Sequence, residues 1–103
     1  MSTEGRIELA DLVVDPATRE VLVSGELIEL TVREFDLLEF LCRHPRQVFS
    51  RDQLMDAVWG YRSARDTGTV TVHVRRLREK LELDPSHPQR FQTVWGVGYR
   101  FVP

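Results

Sequence analysis

Local chemistry punctuates this chain into three helices before any tertiary contact is considered. Thr31-Val32-Arg33-Glu34 and Ser50-Arg51-Asp52-Gln53 are both capping boxes, each ahead of an apolar run. In such a box the hydroxyl and the carboxyl or amide three residues on each satisfy an orphaned backbone N–H, so the helix starts at a defined residue. The stops are equally local. Pro45 pushes His44 out of the helical region, and Asp84-Pro85-Ser86-His87-Pro88 breaks a third periodic stretch. These signals predict helices over about 31–44, 50–60 and 66–83, the third capped by Asp66 or Thr67. Phe35, Leu38, Leu41 and Cys42 face inward on the first; Leu54, Ala57 and Val58 do so on the second.

Strands flank the helices. Ile7-Glu8-Leu9, Leu12-Val13-Val14, Glu20-Val21-Leu22-Val23 and Leu27-Ile28-Glu29-Leu30 are apolar or alternating segments, the later ones separated by Asp15-Pro16-Ala17-Thr18 and Ser24-Gly25-Glu26. A four-stranded antiparallel meander over 7–30 follows, with one face on the helices. Gln47-Val48-Phe49 allows one short extended segment. Phe91 to Val102 reads as two strands around Gly96-Val97-Gly98, a hairpin with Val94 and Phe101 toward the core. The two glycines are expected to serve a tight turn. The fold class is therefore α+β, a winged helix-turn-helix carrying an N-terminal sheet, as a single domain over 1–103.

Composition first argues against a nucleic-acid partner. Fourteen basic residues against sixteen acidic leave a net charge of −2. The average hides a division. Residues 1–60 carry six basic and twelve acidic side chains, a net of −6; residues 61–103 carry eight and four, a net of +4. Thirteen of the basic residues are Arg and only Lys80 is Lys, a bias that either a G+C-rich genome or phosphate and guanine recognition would produce. One cysteine, Cys42, excludes an intrachain disulfide and a paired-cysteine zinc site. With no apolar leader at the start and no long apolar run, a soluble, cytoplasmic protein with no membrane contact is expected.

The third helix concentrates the positive charge. At about 100° per residue, Val74, Leu77 and Leu81 fall within about 40° of Val70, and the four form a narrow core stripe. Gly68, Thr69, Val72, Arg75, Arg76 and Glu79 face the other way. Val72 among arginines is unusual on a solvated face, but it can meet a thymine methyl in a major groove. Arg76, one turn on, can reach a base edge; His73, Arg75 and Arg78 flank it where phosphates run. No acidic residue lies between Thr67 and Arg78. A solvated face with incidental arginines is the plainer alternative, and a winged helix kept for protein contacts alone is another. Catalysis has little support. Cys42 falls on an apolar helix face, the carboxylates are scattered, and no His or Cys stands beside His73 to make a metal site. Neither metal nor cofactor is expected.

These segments resemble one family. Leu30-Thr31-Val32-Arg33-Glu34-Phe35-Asp36-Leu37-Leu38, Val48-Phe49-Ser50-Arg51-Asp52-Gln53-Leu54, Val58-Trp59-Gly60, the stretch Thr69 to Leu81 and Thr93-Val94-Trp95-Gly96-Val97-Gly98-Tyr99-Arg100-Phe101 are similar to the OmpR/PhoB-type response-regulator effector domain. The resemblance implies a two-component, phosphorelay-controlled transcription factor whose receiver domain is absent from this chain. It implies a head-to-tail dimer on direct-repeat DNA half-sites, monomeric when isolated. By position, Thr69, Val72 and Arg76 would touch bases, and His73, Arg75, Arg78, Thr93 and Tyr99 would hold phosphates. Tyr61, Arg62 and Arg65 would lie in a loop that meets RNA polymerase, and Trp95 and Gly96 would form the wing tip. Two positions depart from the pattern. Trp95 replaces the wing Arg that enters the minor groove, and Gly68 stands where some relatives carry a basic or polar residue. Both imply fewer cationic contacts and a shallower salt dependence.

Overall fold

In the computed structural model, which describes residues 5–60 and 66–103, both capping boxes are closed. Thr31 Oγ1 accepts from Glu34 N–H at 3.3 Å while Glu34 Oε1 accepts from Thr31 N–H at 3.0 Å, and α1 runs Val32–Arg43. Ser50 and Gln53 make the same exchange at 3.1 and 2.8 Å ahead of α2, Arg51–Leu54. α1 ends where Pro45 requires, with His44 outside the helical region.

α2 does not continue as an α-helix. Met55–Trp59 widen into a π-helical turn, closed by Gly60 N–H donating to Met55 O at 3.1 Å, with Gly60 at φ 96°. The wider turn changes the side-chain phase. Met55 is buried and Ala57, expected inward, is exposed; Leu54 is buried and Val58 half-buried. The third helix, α3, spans Gly68–Leu81. Asp66 and Thr67 share its start: Thr67 is the N-cap residue without a side-chain bond, and Asp66 Oδ1 accepts from Gly68 N–H at 3.0 Å. It stops two residues short of the expected end because Glu82 turns extended. The Glu82 carboxylate then accepts from the N–H groups of Gln89, Arg90 and Phe91, tying the loop to the strand that follows.

The N-terminal sheet is the expected meander of β1 (Ile7–Leu9), β2 (Leu12–Asp15), β3 (Glu20–Val23) and β4 (Glu26–Ile28), in that order and antiparallel throughout. Its register aligns Ile7, Val14, Val21 and Ile28 in one row, and Leu12, Val14 and Val21 are buried. β5 (Phe91–Val94) and β6 (Gly98–Phe101) form the hairpin. Phe91 pairs with Phe101, and both are buried with their rings 5.4 Å apart. Val94, expected in the core, is only half-buried. Strand side chains alternate, and Val94 lies three residues from Phe91, so it takes the opposite face. Thr93 and Tyr99 share the inner face with the phenylalanines.

Phe49 does not stand alone. It bridges to Tyr99 by two N–H···O bonds of 2.9 Å, adding a third short strand to the hairpin. That bridge gives Gly98 a role beyond a turn. A Cβ at Gly98 would lie 1.9 Å from the Phe49 carbonyl oxygen, whereas one at Gly96 would meet nothing but carries a φ of +80°.

α1 and α3 enclose the core with the two strand layers. Phe35, Leu37, Leu38 and Leu41 of α1 meet all four residues of the α3 stripe there. One ion pair crosses the same junction. Lys80 Nζ stands 2.6 Å from Glu34 Oε1, whose side chain is 1% exposed. Burial pushes Glu34 upward, but hydrogen bonds from Lys80 and Thr31 and the Lys80 charge outweigh it and hold the carboxyl below the usual glutamate range.

Two outcomes follow. Gly98→Ala should cost about 2 kcal/mol or more, against about 1 kcal/mol for Gly96→Ala, where only the positive φ resists; urea titration of both variants ranks them. A carboxyl held low on folding contributes stability above its unfolded value and loses it as pH falls through its folded value. Lys80→Met removes both the hydrogen bond and the charge by which Lys80 holds Glu34 low, and leaves a buried carboxylate without its cation. It should cost about 2 kcal/mol at pH 7. The gap to the parent should narrow as pH falls below the glutamate range, because protonation relieves the unpaired carboxylate; urea midpoints across that pH series measure it.

Candidate nucleic-acid interface

Burial of Val70, Val74, Leu77 and Leu81 fixes the rotation of α3. Thr71, Arg75, Arg76 and Glu79 are thereby exposed, and Thr69 and His73 are half-buried; Val72, expected on the solvated face, is half-buried too. Arg75 and Arg76 have no hydrogen-bond or ion-pair partner among the described residues. They are held out as bare cations, unlike most of the chain's charged side chains. His73 is more constrained. Its Nδ1 meets Thr69 O at 2.8 Å, so Nδ1 carries the proton and Nε2 is the nitrogen left to point elsewhere. Its ring stands edge-on to Trp59 at 4.9 Å.

Arg78 differs from its neighbours. Nε and Nη2 donate to Phe91 O at 2.9 and 2.7 Å, Nη2 also donates to Thr93 Oγ1 at 2.8 Å, and the guanidinium lies 5.7 Å from the Tyr99 ring centre. Three residues expected to hold phosphates are thus brought together, and one of them binds the other two. Arg78 is a strut that locks α3 to the hairpin. Tyr99 Oη donates to Thr71 Oγ1 at 3.4 Å, a long second tie between the same elements.

A groove of about 380 Å³ opens between the first turn of α2, α3 and the hairpin, lined by Arg51, Thr71, Thr93, Trp95 and Tyr99. Arg51 is exposed, and the sequence pattern alone does not mark it as a binding residue. Only its place at the first residue of a capped helix distinguishes it, and that signal carries no chemistry. Trp95 and Gly96 form the exposed tip of the hairpin. Tyr61, Arg62 and Arg65 lie outside the described residues.

The catalytic alternative gains nothing from the geometry. Cys42 is buried, which pushes its thiol up to about 12, and His44 Nδ1 is engaged by Phe40 O at 2.8 Å. Among the described residues, no group of three or more His, Cys, Asp or Glu could hold a metal ion. No helix among them is long and apolar enough to cross a membrane.

A family profile described as "Transcriptional regulatory protein, C terminal" matches residues 25–101. The chain belongs to this family. It is 52% identical over 97 residues to the DNA-binding response regulator MtrA of Mycolicibacterium smegmatis, covering 94% of this chain and 42% of that protein. The chain thus spans less than half the length of that regulator. The DNA-binding domain of Klebsiella pneumoniae RstA, solved in complex with the RstA box, superposes with a TM-score of 0.86 at 35% identity, over 95% of this chain and 97% of that one. Response regulator DrrB of Thermotoga maritima, an OmpR/PhoB homologue, superposes with a TM-score of 0.87 at 30% identity, over 96% and 45%. The fold and family expected from the sequence are therefore borne out.

The strut makes a specific outcome measurable. Arg78→Ala removes the donors held by Phe91 and Thr93, and should cost about 2 kcal/mol. Amide exchange in β5 and β6 should quicken by about tenfold or more while the middle of α3 stays protected. Arg75→Ala should leave hairpin exchange unchanged.

Proposed function

We propose that this chain binds duplex DNA sequence-specifically and regulates transcription as the effector part of a two-component response regulator. α3 enters the major groove and the hairpin lies over the minor groove. The carrying observation is the pair Arg75 and Arg76: exposed, without partners among the described residues, and aimed away from the core on a chain whose net charge is −2. Two adjacent arginines left unneutralised on one helix face are what binding to a polyanion requires.

Within this reading Thr69, Val72 and Arg76 read base edges, and His73 and Arg75 hold phosphates. Thr93 and Tyr99 take the adjoining backbone from the hairpin side. Arg78 keeps both in place and reaches a phosphate only through its remaining nitrogen, Nη1. Arg51 joins the phosphate set, because it lines the groove that these residues share. A receiver domain supplies phosphorylation control, in keeping with the greater length of MtrA. Two copies bind head-to-tail on direct repeats, and Tyr61, Arg62 and Arg65 serve contact with RNA polymerase. The protein works in the cytoplasm.

Arg76→Ala and Arg75→Ala on one operator separate the roles. The first should lose about 1–3 kcal/mol and relax base preference; the second should weaken all sequences alike and reduce the salt slope by about one. Equal behaviour of the two variants would remove the base-reading role. Failure to retain random-sequence duplexes on a filter at low salt would move the function to protein contacts.

A further inference from the structure

The tip of the hairpin carries no charge. From Val94 to Gly98 it reads Val-Trp-Gly-Val-Gly. Val97 N–H donates to Val94 O at 2.9 Å, Gly96 has a φ of 80°, and Trp95 stays out of the left-handed region. Those three facts describe a type II turn with Trp95 at its first central position. The turn is well supported from behind. The Phe49 bridge braces β6, and the Arg78 strut braces β5.

A folded chain covers an indole where it can. Trp95 is 90% exposed and its neighbour Val97 56% exposed. Both line the groove that also holds Arg51, Thr71, Thr93 and Tyr99, so this apolar tip continues the polar and cationic face of α3. A rigid, uncharged aromatic at the edge of a phosphate-binding surface has one natural use. It can enter a minor groove as a wedge, where apolar side chains part a base step and bend the duplex.

We propose that Trp95 is such a wedge, and that base preference under the hairpin is set by how easily a step unstacks. The inference rests on the DNA-binding reading above and adds a residue to its specificity. Flexible pyrimidine–purine steps would be favoured beneath the tip. Stiff A-tracts, whose narrow groove attracts arginine, would be disfavoured.

The probe is a single half-site duplex selected from a random library by this chain, with 2-aminopurine placed in turn at each flanking step. Binding of the parent should raise the fluorescence at one step under the hairpin, and Trp95→Ala should abolish the rise. Trp95→Ala should weaken binding roughly 10- to 100-fold with an unchanged salt slope, while Trp95→Phe retains most of the affinity. Trp95→Arg should steepen the slope by about one and shift selection toward A-tracts. Unchanged affinity of Trp95→Ala for the half-site would overturn the wedge, and so would an equal fluorescence rise in that variant. A loss seen only on duplexes with two half-sites would overturn it too, assigning the indole to a neighbouring protein. The two readings fail differently. A selected site that Arg76→Ala loses and Trp95→Ala does not sinks the wedge alone; no selected site at all sinks both.

Discussion

The apolar stripe of α3 sets the orientation of everything outside the core. Val70, Val74, Leu77 and Leu81 are each at most 4% exposed, so the helix has one permitted rotation. Turning it by even a third would bury an arginine and expose two leucines, each change costing more than a small domain can spare. With that face held against α1, Arg75 and Arg76 have no choice but to face solvent. The same rotation directs Arg78 at the hairpin and Lys80 at Glu34. A hydrophobic contact thus positions the charges, and the charges then fix the hairpin and the helix junction.

The ion pairs of the fold separate by purpose. Arg19 and Arg33 both meet Asp36, Arg43 meets Glu39, and Arg90 meets Asp11. Exposed pairs of this kind contribute little to stability. Their larger effect is on the field: they neutralise arginines of the sheet and the first helix. Among the described residues, Arg75 and Arg76 of α3 and Arg51 beside it have no such partner. A net charge of −2 therefore coexists with a strongly positive surface. Glu34 and Lys80 form the different kind of pair, in which one member is buried and removing the other would leave a charge in the core.

Positions that depend on nearby sequence were legible from it. Both capping boxes, the stop at His44, the four-strand meander and the α3 stripe follow from bonds or periods spanning a few residues. Where the structure departs from the local pattern, the causes are equally definite. A period of 3.6 puts Ala57 inward, and the π-turn at Met55–Trp59 changes the phase. The apolar character of Val94 suggests an inward place, and strand alternation puts it on the opposite face. Gly98 read as turn chemistry, although a backbone segment almost fifty residues earlier in the chain is what excludes a side chain there.

By itself the sequence determined where elements start and stop, which face of α3 is apolar, and where the positive charge is concentrated. All of these come from short-range hydrogen bonding and periodic burial, which need no partner to be defined. Only the tertiary structure decided what the charges do. Arg75, Arg76 and Arg78 are the same residue type, within four positions of the chain. Packing of the hairpin against α3 engages Arg78 and leaves the other two bare. The same packing leaves the Trp95 indole uncovered. The reason is physical: a guanidinium binds whatever acceptor lies within its reach, and which carbonyl that is depends on contacts distant in sequence.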